Sequence, residues 1–72
     1  MATRRTVDER LGLPVVVDGG VARLSETSEG VVAETWVPDE RAWIRGIDDL
    51  ASVLSAPPAS AELLAHVGLA RE

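Results

Sequence analysis

His66 is the one histidine in the chain, cysteine is absent, and twelve carboxylates face seven cationic side chains. A nucleophilic triad needs a nucleophile, a base and an orienting acid. Serines and carboxylates are present, but His66 would have to be the base, and no Gly-x-Ser-x-Gly elbow occurs. His66 falls beside a Leu63/Val67 stripe, where a half-exposed surface histidine is expected. As a metal ligand it would stand alone among nitrogens and sulfurs. Asp48-Asp49 and Asp39-Glu40 are adjacent pairs, and neighbours on a helix point about 100° apart, so neither pair converges on one cation. Glu26, Glu29 and Glu34 form a looser acidic group, read as a solvated turn. Gly19, Gly20 and Gly30 are read as turn residues, because a phosphate loop needs a following helix and usually a lysine, and the chain has no lysine. No catalytic, cofactor-binding or metal-binding residue is assigned, and no small-molecule substrate is indicated.

Recognition of another macromolecule remains. The net charge of −5 argues against nucleic acid, which calls for a basic face, and against anionic membrane. The longest apolar stretch, Leu13 to Val17, is far too short to span a bilayer or to form a signal-peptide core, so a cytoplasmic protein is expected. Hydrophobic residues make up 46% of the chain, which suits a folded domain. Seventy-two residues without a disulfide make one marginal domain. A protein partner or a second copy is the remaining means of burying more surface.

These residues must be positioned by short elements. Thr6-Val7-Asp8-Glu9 has capping-box spacing, and Gly12 with Pro14 would close a helical turn over residues 7–11. Residues 1–5 are read as a flexible start to a single domain spanning 1–72. Leu13 to Val17, Val21 to Ser25 and Val31 to Val37 read as strands. Asp18-Gly19-Gly20 supplies the positive φ angles of a tight hairpin turn. From Asp39, Trp43, Ile47, Leu50 and Leu54 recur at spacings of four, three and four, which predicts a long amphipathic helix. Arg45 would pair there with Asp48 or Asp49, and Gly46 would mark either a close approach of another backbone or a tolerated imperfection in the helix. Pro57-Pro58 stops this helix, and Ser60 caps a second one, Ala61 to Ala70. The expected fold is α+β: a short N-terminal helical turn, a three-stranded antiparallel meander, and two C-terminal helices.

Alternation along the strands places Val32, Glu34 and Trp36 on one face of the sheet, with Val16 of the first strand. The long helix would cover the other face. Val16, Val32, Glu34 and Trp36 are therefore the candidate protein-binding residues, unless the N-terminal turn with Val7 and Leu11 covers them. Trp43 is expected in the core, on the helix stripe, and Trp36 at the contact.

Residues 21–47 resemble part of a small actinobacterial family, the BldB-type developmental proteins. The matching residues are Val21-Ala22, Ser25 to Gly30, Val31 to Val37, Pro38, and Arg41-Ala42-Trp43-Ile44-Arg45-Gly46-Ile47. The family's usual Trp before the Arg-Ala pair and its upstream Cys segment are missing here. The resemblance implies a helix beginning after Pro38 and a small regulatory protein that works by binding protein. The function expected is thus a non-enzymatic regulatory or adaptor module, acting by protein binding and able to pair as a homodimer. The alternatives are a small DNA-binding protein using the two C-terminal helices and an accessory subunit of an enzyme.

Overall fold

The computed structural model describes residues 7–69. Residues 7–10 are helical (α1). Four strands follow in chain order, β1 (Val15–Val17), β2 (Gly20–Thr27), β3 (Gly30–Val37) and β4 (Ala42–Arg45), then two helices, α2 (Leu50–Ser55) and α3 (Ala61–His66). The strands form an antiparallel meander in the order β1-β2-β3-β4. The class is α+β, as the sequence predicts, with one strand more and the helices shorter. The capping residue Thr6 and the flexible start at 1–5 lie outside the described residues.

Local chemistry accounts for the hairpins. Asp18 and Gly19 both have positive φ, 52° and 80°, which is the turn that matches the twist of flanking strands. Thr27 pairs with Gly30 across the next turn, where the Thr27 hydroxyl donates to the Gly30 carbonyl at 2.9 Å. Pro38 cannot continue a ladder, and the chain reverses over residues 38–41 with Arg41 at φ 52°.

Here the long helix expected from Asp39 gives way to β4. Glu34 pairs with Arg45, Thr35 with Ile44, Trp36 with Trp43 and Val37 with Ala42. Aromatic and β-branched side chains suit a strand, and β3 supplies a partner already rich in them. The spacing of Trp43, Ile47, Leu50 and Leu54 is divided among a strand, a turn and a six-residue helix. Gly46 adopts φ +87°, and the space where a Cβ would stand is open for 4 Å, so it serves the turn and not a close contact. The helix implied by the resemblance at Arg41–Ile47 is likewise this strand and turn.

α2 packs on one face of the sheet. Val53 and Ala56 join Val15, Ala22, Leu24 and Ala33 in the core, with Leu11, Val17, Val31 and Leu54 against it. Leu11 thus belongs to the core face and does not cover the opposite one. After α2, Pro57 and Pro58 end the helix and lay the chain along the free edge of β1. The Val16 N–H donates to the Pro57 carbonyl at 2.8 Å and the Ala59 N–H to the Pro14 carbonyl at 2.9 Å. Ser60 then caps α3, accepting from the Leu63 N–H at 3.1 Å. α3 ends at His66, with Val67 as its C-cap, four residues short of the expected Ala70.

Leu24 is 1% exposed, and Leu24→Ala should destabilise the domain by ~3 kcal/mol in urea melts, whereas Leu50→Ala, at a side chain 38% exposed, should cost under ~1 kcal/mol. Asp49 caps α2 and accepts from the Ser52 N–H at 2.8 Å. Hydrogen bonds from the Ser52 side chain and then its backbone hold the Asp49 carboxyl below the ordinary aspartate value. Its folded value is lowered, so the capping contribution is complete above the unfolded value and is lost as pH falls through the folded one. The Ser52 amide resonance should titrate with a midpoint below that of a free aspartate.

Candidate protein-binding site

The strand register puts Val16 opposite Val21 and Trp36 opposite Trp43. With Val32 and Glu34 they occupy the face turned away from α2, so the four residues expected from alternation do share one surface. Trp43 shares it too. It is no helical core residue but the cross-strand neighbour of Trp36, with ring centroids 5.4 Å apart and planes tilted by 56°.

One end of this face is closed. Trp36 Nε1 donates to the Val67 carbonyl at 2.8 Å, which ties the end of α3 to β3. Val21, in the same row, is 1% exposed. The indole N–H finds a partner, as a buried tryptophan requires, and the carbonyl left over at the helix end is satisfied by the same bond. Trp36 is therefore half-buried and fastened within the chain, not the free anchor expected of it.

The next row is polar. Arg23, Glu34 and Arg45 lie side by side across β2, β3 and β4. Arg23 Nε donates to Glu34 Oε1 at 2.9 Å, and Arg45 Nε lies 3.9 Å from Glu34 Oε2. The Glu34 side chain is only 12% exposed because an arginine flanks it on each side. The Arg23 guanidinium also lies over the Trp43 ring, 4.1 Å from its centroid, a cation–π contact. Arg45 faces Glu34 and not the expected Asp48 or Asp49. Asp48 accepts from the Thr35 hydroxyl at 2.5 Å, and Asp49 caps α2.

The large apolar side chains that remain exposed lie elsewhere. Leu13, before β1, is 36% exposed, and Ile44 is 38% exposed, Ile47 58% and Leu50 38% at the other end of the sheet. Ile44 is on the core face of β4, beyond the reach of the short α2. Ile47 and Leu50 follow it in the loop and the first turn of that helix. This patch borders the outer edge of β4, where, among the described residues, no backbone hydrogen bond to another segment is found. Sequence reasoning missed Ile44, Ile47 and Leu50 because it placed all three in one long helix, with Ile47 and Leu50 on its buried stripe. The signal that could have found them is Gly46, whose conformational freedom interrupts that helix.

Among the described residues no group of three or more His, Cys, Asp or Glu could hold a metal ion, and no helix is long and apolar enough to cross a membrane. His66 is exposed at the end of α3. A shallow groove lined by Leu11, Gly12 and Arg23 to Glu26 opens widely to solvent. No family model, curated protein or solved structure matches the chain.

Trp36→Phe keeps a ring between Val21 and Trp43 but removes the donor to Val67. It should cost about 1 kcal/mol and raise amide hydrogen exchange in α3, with the Leu24 and Ala33 amides of the sheet centre unchanged. Equal acceleration in sheet and helix would show that the bond does not hold α3 specifically.

Proposed function

We propose that the chain is a non-enzymatic regulatory or adaptor module that acts in the cytoplasm by binding protein. The observation that carries this reading is the outer edge of β4, unpaired among the described residues, with Ile44, Ile47 and Leu50 exposed on and just after that strand. Large apolar side chains exposed close together along the chain suit a contact site, and an open strand edge offers backbone groups to an incoming strand. Ile44 is on that strand, and Ile47 and Leu50 follow it in the loop and the first turn of α2, so a single partner can engage both features. Net charge −5 favours a protein over nucleic acid as that partner. The resemblance of residues 21–47 to BldB-type proteins points the same way.

The face carrying Val16, Val32, Glu34 and Trp36 is the poorer contact surface in this reading. Trp36 is bound to α3 and Glu34 is occupied by arginines, so a partner would have to displace interactions already made. At the outer edge of β4 the described residues make no backbone hydrogen bond that a partner would have to displace.

A photoreactive residue placed at Ile47 in the source cell tests the proposal. One partner should be captured at position 47, displaced by excess unlabelled protein, and not captured from Glu62, which is exposed on α3. Identical capture from both positions, or none, would refute it.

A further inference from the structure

Val15 and Val21 are both 1% exposed, yet different parts of the chain bury them. Val15 belongs to the core cluster with Ala22, Leu24, Ala33, Val53 and Ala56, on the face that α2 covers. Val21 is outside that cluster, and alternation turns it to the opposite face. Its cross-strand partner there is Val16, and the Ala22–Thr35 pairing sets Trp36 on its other side. A valine in the middle of a sheet face is sealed from water only under a cover. The bond from Trp36 Nε1 to the Val67 carbonyl, 2.8 Å long, brings α3 to that place.

The two covers are independent. The core cluster and the side chains packed against it draw nothing from beyond Ala56. No residue of α3 is buried, and Leu63, Leu64 and Val67 are half-buried. The backbone bonds of this segment, from the Leu64 N–H to Ser60, Val67 to Leu63 and Leu69 to Leu64, close within it. The strap along β1 ends with the Ala59 N–H on the Pro14 carbonyl at 2.9 Å. Beyond Ala59, the Trp36–Val67 bond ties the chain back to the sheet.

We infer that α3 is a latch: residues 60–69 leave the sheet as one unit about Ala59 and Ser60, with the sheet and α2 intact, and uncover Val16, Val21 and Trp36. A segment with few buried apolar side chains opens at less than the cost of global unfolding. A six-residue helix is too short to persist alone in water, so α3 unwinds as it lifts. Val16 and Trp36 are residues that strand alternation marks for protein contact, so the latch governs access to that face. The device is separate from the contact at β4, and its test needs no partner.

The chain has no cysteine, so one introduced thiol reports one position. Val21→Cys and Val15→Cys place that thiol at equally buried sites on opposite faces. Under native conditions a thiol reagent should modify position 21 about tenfold faster than position 15, or more. Ala65→Gly, at an exposed position inside α3, weakens the helix without touching the sheet. It should speed modification at position 21 by about fivefold and leave position 15 unchanged. In the unsubstituted chain, the Trp36 indole N–H and the Leu64, Val67 and Leu69 amides should share one level of protection from hydrogen exchange, below that of the β2 and β3 amides. Equal modification at positions 21 and 15, an equal rise at both with Ala65→Gly, or an indole N–H protected as strongly as the sheet would each overturn the inference.

Discussion

The pairing of Pro57 to Ala59 with the edge of β1 is the constraint on which the rest of the structure depends. It takes the chain from α2 on one face of the sheet to α3 on the other, using two backbone hydrogen bonds. Without it, β1 would be a three-residue edge strand held only by its hairpin, and α3 would have no fixed path to Trp36. With it, both faces receive a helix and one edge is closed. Pro58 suits this place because an outer strand needs donors only where it meets its neighbour. The carbonyl of Pro57 and the N–H of Ala59 supply the inward bonds, and Pro58 between them, bridged to Val15, offers no N–H to the outward side.

Two short helices cannot cover a four-stranded sheet. α2 has six residues, about 9 Å at 1.5 Å per residue, whereas four strands at ~4.8 Å spacing extend over roughly 14 Å between the outer two. The helix lies over β1, β2 and β3 and leaves the core face of β4 open. On the opposite face, α3 closes the tryptophan row, while the Arg23–Glu34–Arg45 row is left to interact with itself. Each exposed ion pair contributes little alone. Glu34 held between two arginines, one of them stacked on Trp43, nonetheless orders four side chains across three strands. Among the described residues, an exposed apolar side chain, Ile44, and an unpaired backbone edge thus coincide at β4, the first because α2 is short and the second because no further segment pairs with that strand.

Much of the fold is legible in the residues themselves. The turn at Asp18-Gly19, the strand ends at Pro38 and Gly30, the helix stop at Pro57 and the cap at Ser60 are each imposed by backbone chemistry within a few residues. So is the sharing of one face by Val32, Glu34 and Trp36, since alternation along a strand needs no distant partner. The candidate site was legible only to that extent. That Trp36 is fastened to Val67 depends on a contact across thirty-one positions, and no local pattern announces it.

Ala42 to Leu54 is where local reading and structure part. Its apolar residues satisfy the helical period, and nothing nearby forbids a helix except Gly46. What turns Ala42 to Arg45 into a strand is β3, which offers a ladder of backbone partners, an aromatic neighbour for Trp43 and a carboxylate for Arg45. Sequence alone determined the turns, the caps, the alternating faces and the lack of residues for thiol or lysine chemistry, because these are local or compositional properties. Only the tertiary structure decided the fourth strand, the burial of Trp36 and the exposure of Ile44, Ile47 and Leu50, because each depends on which distant segment reaches the sheet and how far it extends over it.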